Sequence, residues 1–238
     1  MAEKTHIQWT QATWNPVTGC DKISSGCKFC YAERLALRLK RMHNPRYQNG
    51  FKVTLHEAQL ALPNKWKTPK LIFVNSMSDL FHKDVPDDFI QKVFETMGAA
   101  QLHTFQVLTK RSARLAQLAP KLVWPQNVWM GVSVEDNNAL ARVEHLRQVP
   151  ASVRFLSCEP LIGPLSDLNL TVIDWVIVGG ESGPGARPMN PQWVHEIHTK
   201  CQETRTPFFF KQWGGVRKEL TGRLLNGREY DEMPKLKE

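Results

Sequence analysis

The sequence predicts an α/β protein whose parallel strands form a partial (β/α) barrel. From residue 71 onward, short apolar runs of strand length alternate with helical patterns. This repetition is typical of a parallel sheet with right-handed crossover connections. Polar residues follow nearly every apolar run, as expected where strand ends face a reaction chamber. A doubly wound open sheet is the alternative architecture.

The chain up to residue 42 predicts an extended lead-in, a loop and a helix. Pro16 bars a helix in the lead-in, and we expect one strand near it. A helical pattern then runs from Tyr31 to Met42. Its apolar stripe, which we expect to face the core, and the arginines beside it, which we expect to face a groove or solvent, are Leu35, Leu39, Met42, Arg34, Arg38 and Arg41.

Residues 43–69 predict a basic insertion with a short helix near His56 to Leu62. The segment carries several lysines together with Tyr47, Phe51 and Trp66. Rings beside basic side chains suit unpaired bases on a phosphate backbone. The alternative is that these rings form the small core of the insertion itself.

Six predicted strands, with helices after four of them, fill the rest of the barrel. Each apolar run is short enough for a buried parallel strand. The predicted strands are 71–74, 104–108, 127–132, 153–156, 175–178 and 208–210, and the predicted helices begin near Pro86, Ser112, Leu140 and Pro191. Residues 1–215 therefore predict one barrel domain, and residues 216–238 a C-terminal hairpin and tail packed across it.

The ends of the chain and its composition restrict the class of protein. No apolar signal core precedes residue 7, and no apolar run approaches the roughly 20 residues of a membrane span. We therefore expect a cytoplasmic protein with no membrane partner. Five cysteines, three of them in one loop, favour metal ligands in a reducing compartment over a disulfide framework. The oligomeric state is not predicted.

The net charge of +8 is concentrated near the N-terminus. Residues 1–70 hold 12 Lys and Arg against 4 Asp and Glu, whereas residues 71–238 hold 19 of each. A basic surface beside a reaction centre favours an anionic substrate, with nucleic acid as the leading candidate. A solvated basic face, or one that binds a reductase, is the alternative.

The loop that holds Cys20, Cys27 and Cys30 predicts a metal centre. The spacing is C-x6-C-x2-C, and the loop is rich in Gly and Ser. A structural zinc site needs four protein ligands, whereas three thiolates hold an iron-sulfur cluster with one open iron. Cys158 and Cys201 are distant and form no second pair. A zinc knuckle completed by a distant Cys or His is the alternative.

The segment Cys27-Lys28-Phe29-Cys30-Tyr31 resembles the cluster loop of radical S-adenosylmethionine enzymes, although their usual spacing is C-x3-C-x2-C. The whole pattern is similar to that of phage-associated three-cysteine-motif proteins of unassigned function. It runs through Ile7-Gln8-Trp9-Thr10, Thr13-Trp14-Asn15-Pro16, the cluster loop and Gly179-Gly180-Glu181-Ser182-Gly183. The resemblance implies a [4Fe-4S] cluster, S-adenosylmethionine and a flavodoxin- or ferredoxin-like electron donor. It also implies a 5′-deoxyadenosyl radical that takes hydrogen from the substrate, with modification or repair of nucleic acid as the outcome.

The resemblance also implies a set of residues at the strand ends that bind the cofactor. Those expected to hold its amino group are Asn75, Ser76, Ser78 and Asp79, with helix capping as the alternative for the last two. Glu135 is expected to bind the ribose hydroxyls. The glycine-rich turn around Glu181 is expected to approach adenine or substrate.

Four cations are expected to ring the same chamber mouth. Lys110 is expected to hold the cofactor carboxylate or a substrate phosphate, together with Arg111, Arg187 and Lys211. Ion pairs with Glu135, Glu159 and Glu181 are the alternative.

Cys158 follows a predicted strand, and the resemblance implies that it returns a hydrogen atom to a product radical. A buried core thiol is the alternative. For the whole protein, the rival interpretations are a zinc-dependent nucleic-acid-binding or phage interaction module, and a non-radical enzyme that uses the cluster as a Lewis acid.

Overall fold

A single seven-stranded parallel sheet forms the centre of the molecule in the computed structural model, which describes residues 5–235. Its strands are β1 (Ala12–Trp14), β4 (Leu71–Val74), β5 (Thr104–Thr109), β6 (Val128–Ser133), β7 (Val153–Cys158), β8 (Trp175–Gly179) and β9 (Phe208–Gln212). They lie side by side in that order, and every neighbouring pair is parallel. A two-stranded antiparallel ribbon joins β2 (Val17–Thr18) to β3 (Thr54–Leu55).

Helices connect the strands of the sheet. They are α1 (Tyr31–Arg41), α2 (Asp87–Ala99), α3 (Ser112–Leu118), α4 (Ala141–Arg147), α5 (Pro191–Thr204) and a short α6 (Lys218–Thr221). The predicted order of strands and helices from residue 71 is confirmed. None of the helices within residues 5–235 combines the length and the apolar character that crossing a bilayer requires.

The sheet curls strongly, as contacts between its two ends show. Trp9 lies just before β1 and Trp175 begins β8, five strands further along the sheet. In a flat sheet these positions would be about 24 Å apart, because neighbouring strands are spaced by about 4.8 Å. The two ring centroids are only 6.3 Å apart. The parallel strands therefore form a curled half-barrel, which confirms the predicted partial (β/α) barrel.

Aromatic side chains fill the concave side of the sheet below the strand ends. The inner cluster contains Trp9, Phe73, Trp129, Val153, Phe155, Trp175, Ile177 and Phe209. Gly131 makes room for the ring of Phe155, since a Cβ at residue 131 would lie 2.4 Å from that ring. The convex side carries the larger apolar core between the sheet and helices α2 to α5.

Helix α1 turns a different face inward from the one that the sequence predicts. Ala32 and Ala36 are buried, whereas Leu35 and Met42 are 40% and 63% exposed. Small residues face the protein here because the helix lies close to the insertion, where Tyr47 belongs to the same small buried cluster. The expectation that Leu35 and Met42 belong to the core is wrong.

The insertion contains short turns instead of the helix predicted near residues 56–62. Two 3-10 turns form at Glu57–Gln59 and Pro63–Lys65. The second turn begins with Pro63, whose fixed φ suits the first position of a helical turn. The ring of Trp66 packs against His103 with centroids 6.0 Å apart, and Tyr47 is buried. Both rings thus pack against residues outside the insertion, and the interpretation that they form a small core of the insertion itself is not confirmed.

The C-terminal segment runs back along β9. The backbone N–H of Phe210 donates to the carbonyl of Tyr230, and Phe209 forms an antiparallel bridge with Asp231. A second small bridge pairs Leu225 with Arg228. The segment around Tyr230 and Asp231 thus covers part of the edge of the sheet that β9 would otherwise expose.

Candidate metal and cofactor site

A cavity of about 670 Å³ opens at the carboxyl ends of the strands. Its lower part is lined by Trp9, Phe73 and Leu108. Polar residues from the ends of β4 to β9 form its upper wall, which includes Asn75, Ser76, Ser78, Asp79, Lys110, Arg111, Ser133, Ser157, Glu159, Glu181 and Lys211. Strand ends of a parallel barrel face one chamber, and this one combines an apolar floor with polar walls.

The three cysteines of the loop line the same cavity. Cys20, Cys27 and Cys30 are free thiols with intermediate exposure. Cys30 is also the N-cap residue of α1 and directly precedes the helix. One short loop thus brings three sulfur ligands to the mouth of the chamber.

The spread of the thiols bears on the kind of metal centre. Within residues 5–235, only Asp21, His82 and Asp84 form a group of three metal-binding side chains whose ligand atoms all lie within 4.8 Å of one another. At least one pair of the three sulfurs is therefore more than 4.8 Å apart, whereas bonds of about 2.3 Å bring the sulfurs around a single zinc ion within about 4 Å of one another. Ligands that bind three different irons of one cluster are spread more widely. The donor set of three thiols fits a cubane cluster.

Glu135 fixes the middle of the loop from Cys20 to Cys30, which we call the cluster loop. Its Oε1 accepts a hydrogen bond of 2.7 Å from Ser24 Oγ. Gly26 lies directly against it, because a Cβ at residue 26 would be 2.5 Å from the Glu135 carboxylate. Glu135 is 1% exposed and forms ion pairs of 2.6 Å with Lys110 and 2.7 Å with Arg142. Burial alone would raise the pKa of Glu135, but the two cations hold it below its ordinary value.

Two further side chains fix the start of the loop. Arg111 Nη2 donates to Cys20 Sγ at 3.6 Å and to the Asp21 carbonyl at 3.2 Å. His82 is fully buried, and its Nδ1 accepts from the Asp84 N–H at 3.1 Å. Its Nε2 therefore carries the proton, which it donates to Asp21 Oδ2 at 3.1 Å. Through these two hydrogen bonds, His82 connects Asp21 of the loop to the backbone of Asp84 and holds the start of the loop in place.

Arg187 connects the loop to the glycine-rich turn after β8. Its guanidinium donates to the Ser25 carbonyl at 2.9 Å and to Glu181 Oε1 at 2.7 Å. Glu181 is buried, which alone would raise its pKa, but the bonds from Arg187 hold that pKa below the ordinary value. Arg34 of α1 donates to the carbonyls of Ser182 and Pro184 in the same turn. These hydrogen bonds therefore fix the glycine-rich turn to the cluster loop and to α1.

The electrostatics at Cys20 favour the neutral thiol when no metal is bound. Burial and the nearby Asp79 carboxylate raise the pKa of Cys20 to about 12, against the opposing effect of Arg111. A metal ligand must be a thiolate, and the positive charge of a bound metal would compensate for the burial of that thiolate. Arg111 already donates a hydrogen bond to the Cys20 sulfur, and its positive charge also favours the thiolate.

The polar residues after β4 line the cavity, as predicted, but several of their side chains already form hydrogen bonds within the protein. Ser76 Oγ donates to Asn15 Oδ1 at 3.2 Å, and Ser78 Oγ donates to the Val17 carbonyl at 2.8 Å. Asn75 is 3% exposed, and its Nδ2 finds no hydrogen-bond partner within residues 5–235. A buried donor at the wall of a cavity is costly unless a ligand satisfies it.

Asp79 is engaged on both oxygens. Oδ1 accepts from Thr109 Oγ1 at 2.6 Å and from the Phe81 N–H at 3.0 Å, while Oδ2 accepts from the Lys110 N–H at 3.0 Å. The carboxylate thus ties the turn after β4 to the end of β5. Asp79 thus satisfies backbone groups of a turn and does not cap a helix, since α2 begins only at Asp87.

The cations around the chamber are paired with carboxylates. Lys110 pairs with Glu135, Arg187 with Glu181, and Lys211 with Glu159 at 3.0 Å. The ion-pair alternative is thus confirmed for these three. Gly179 allows the last pair, because a Cβ there would lie 2.4 Å from Glu159 Oε1.

Cys158 lies on the convex side of β7, away from the cavity. Side chains alternate along a strand, so Phe155 and Ser157 face the concave side while Leu156 and Cys158 face the helices. Cys158 is fully buried in the outer core, and burial raises its pKa well above the ordinary value. This placement argues against the predicted hydrogen-donor role, because the thiol does not reach the chamber.

Some residues of the site had no sequence signal. Asn15 Oδ1 accepts from both Ser76 Oγ and the Met77 N–H, while Ser24 and His82 hold the cluster loop. Their partners lie about 60 or more residues away in the chain, so no local spacing reveals them. Asn15 belongs to the segment Thr13-Trp14-Asn15-Pro16 of the family resemblance, but the sequence predicts no contact for its side chain.

Comparison with known structures finds several structures of spore photoproduct lyase that are similar to this chain. The complex with dinucleoside spore photoproduct is similar to this chain at 12% identity and a TM-score of 0.45, over 79% of this chain and 60% of that one. A mutant with bound AdoMet and dinucleoside spore photoproduct gives 12% identity and 0.46, over 81% and 61%. Another mutant gives 12% and 0.48, over 81% and 61%. The chain thus spans about three fifths of the length of these structures.

No curated protein matches the sequence. A family model described as a protein of unknown function, DUF5131, matches residues 4–234. That match covers nearly the whole chain, and the protein therefore belongs to the DUF5131 family.

Proposed function

We propose that Cys20, Cys27 and Cys30 hold a [4Fe-4S] cluster with one open iron, and that the protein is a radical S-adenosylmethionine enzyme. One observation carries the proposal. Three free thiols of a single loop meet at a cavity over the carboxyl edge of a curled parallel sheet, too widely spread for one ion. The cluster and S-adenosylmethionine, when bound, supply a 5′-deoxyadenosyl radical that takes a hydrogen atom from the substrate.

The residues of the chain then bind and orient the cofactor. Asn75 Nδ2 is a buried donor without a partner in the described chain, and we assign it to an oxygen of S-adenosylmethionine. Ser76 and Ser78 line the same wall. Lys110, Glu135 and Glu181 act by holding the cluster loop and the glycine-rich turn in place through their ion pairs.

The floor of the chamber protects radical chemistry from water. Trp9, Phe73 and Leu108 close its lower end with apolar surface. Trp9 and Phe73 belong to the inner aromatic cluster, whose members are almost completely buried, and Leu108 packs against it. Exclusion of solvent prevents side reactions of a reactive intermediate, which is the main contribution of the protein besides orientation.

We propose nucleic acid or a nucleotide as the substrate, with modification or repair as the reaction. The basic surplus of residues 1–70 supports this class, and Lys52, Lys65 and Lys67 of the insertion are exposed. Binding of a fluorescent single-stranded oligonucleotide should weaken with salt, with a slope of about 0.7 per phosphate contacted. Alanine at all three lysines should lower that slope, and an unchanged slope would remove the insertion from the binding surface.

The decisive experiment is anaerobic reconstitution with iron and sulfide, followed by dithionite, S-adenosylmethionine and an assay for 5′-deoxyadenosine. We expect four irons per chain, and product from the intact protein but none from Cys27→Ala. A protein that takes up one zinc and no iron would contradict the proposal. Cluster formation without cofactor cleavage would contradict the radical chemistry alone.

A further inference from the structure

The outward face of α1 carries an unusual combination of side chains. With 100° of rotation per residue, Leu37, Arg41, Arg34, Arg38, Tyr31, Met42 and Leu35 follow one another around an arc of about 160°. The buried Ala32 and Ala36 lie opposite. We call the exposed part of this arc, made of Leu35, Leu37, Arg38, Arg41 and Met42, the α1 face.

The α1 face has large apolar side chains open to solvent. Leu35, Leu37 and Met42 are 40%, 46% and 63% exposed. Helices normally turn leucine inward, and here alanine takes the inner positions instead. Leu35 and Met42 adjoin at one edge of the arc and Leu37 lies at the other, with Arg38 and Arg41 between them. Large exposed apolar side chains that flank cations on one helix indicate an interaction site more than scattered surface residues do.

The charge of the same face is positive and uncompensated. Within the described chain, no carboxylate forms an ion pair with Arg38, Lys40 or Arg41. Glu33, the acidic residue of the helix, lies to one side and pairs with Lys22 at 2.8 Å. The face is thus complementary to an acidic partner.

The α1 face adjoins the cluster loop. Cys30 is the N-cap residue of α1, and Tyr31 and Leu35 of the helix also line the cavity. Arg34 fixes the helix against the glycine-rich turn through two carbonyls. A partner seated on this face therefore lies beside the proposed cluster and on a rigid support.

The side chains favour a protein over nucleic acid as the occupant. Met and Arg are enriched in the cores of protein interfaces, where apolar anchors are surrounded by charge. A phosphate backbone would gain nothing from Leu37 or Met42, and neither side chain has a ring on which a base could stack. The exposed lysines of the insertion suit nucleic acid better, because no large hydrophobic residue in 43–69 is exposed beside them.

We infer that the α1 face is the docking surface for an acidic electron-transfer protein. The inference rests on the proposed function, because the partner supplies the electron that the cluster needs. One electron passes from the reduced partner to the oxidised cluster, so the partner is oxidised and the cluster reduced by one equivalent. The apolar residues supply the contact, and Arg38 and Arg41 orient the approach.

The test compares a protein reductant with a chemical one on the reconstituted enzyme. The probe is reduced flavodoxin, and the variants are Leu37→Asp with Met42→Asp, and Arg38→Glu with Arg41→Glu. Exposed residues elsewhere provide matched controls, namely Leu102→Asp with Val123→Asp, and Lys121→Glu with Arg205→Glu. Affinity for oxidised flavodoxin is measured by calorimetric titration, independently of turnover.

We expect both α1 pairs to weaken flavodoxin binding and raise its half-saturating concentration by about tenfold or more. Both should keep the iron content and the dithionite-driven formation of 5′-deoxyadenosine, and the controls should match the wild type. Unchanged flavodoxin binding in both α1 pairs, or a loss of oligonucleotide binding instead, would overturn the inference. A wild-type protein inactive even with dithionite would overturn the proposed function, and the docking role with it.

Discussion

Ser24 Oγ donates a 2.7 Å hydrogen bond to Glu135 Oε1, which joins the cluster loop to the residue two positions beyond the end of β6. The same carboxylate pairs with Lys110 and Arg142. A single buried anion thus fixes the cysteine loop to two neighbouring strands, and this arrangement has measurable consequences.

Replacing Glu135 by Ala should destabilise the protein by about 3 kcal/mol, because two partly buried cations would lose their partner. Urea unfolding of the metal-free protein measures this loss. Glu144→Ala is the control, since its ion pair with Arg147 leaves the Glu144 side chain 64% exposed and should contribute at most about 1 kcal/mol. Equal effects of the two variants would contradict the role of Glu135.

Glu181 should make stability depend on acid pH. Its pKa is below the ordinary value of 4.5 in the folded protein, so its contribution is fully present above about pH 4.5. The contribution should be lost as the pH falls from there through the lowered folded pKa. The difference in unfolding free energy between wild type and Glu181→Gln should therefore shrink over that range. A difference that stays constant with pH would count against the Arg187 pair as its cause.

Gly131→Ala should crowd the inner aromatic cluster. The new methyl would lie 2.4 to 2.6 Å from ring atoms of Phe155, and overpacking of this kind costs about 1–3 kcal/mol. Adding Phe155→Leu should recover part of the loss, so that the double variant is more stable than the sum of the single effects predicts. Strict additivity in urea unfolding would show that the two sites do not share space.

Arg111→Met should loosen the bound cluster. The guanidinium donates to Cys20 Sγ at 3.6 Å, and such contacts to ligand atoms stabilise metal sites. After reconstitution, iron should pass to a chelator about tenfold faster than from the wild type, by analogy with losses at other ligand-supporting positions. Arg111→Lys should lie between the two, while Arg147→Met serves as a distant control. Equal rates for all four proteins would argue against this contact.

Cys158→Ala should leave the reaction products unchanged. The thiol lies in the outer core on the convex side of β7, and its removal should cost only about 1 kcal/mol of stability. Product analysis and urea unfolding measure the two effects. Diverted products with intact cofactor cleavage would restore the hydrogen-donor role that the sequence indicated.

The sequence by itself determined the repeating strands and helices and the loop of three thiols. Both depend on neighbours in the chain: apolar runs of strand length such as Leu71–Val74, and the spacing of Cys20, Cys27 and Cys30. Polar residues at strand ends could be located for the same reason, because parallel strands bring their carboxyl ends to one edge.

Tertiary structure decided which side each residue faces and which charges meet. Cys158 faces the helices because β7 directs Ser157 into the chamber, and α1 buries Ala36 because the close packing there leaves no room for leucine. Glu135 meets Ser24 across more than 100 residues. Periodicity fixes the type of an element, but only packing selects its buried face, and hydrogen bonds between distant segments depend on the curl of the whole sheet.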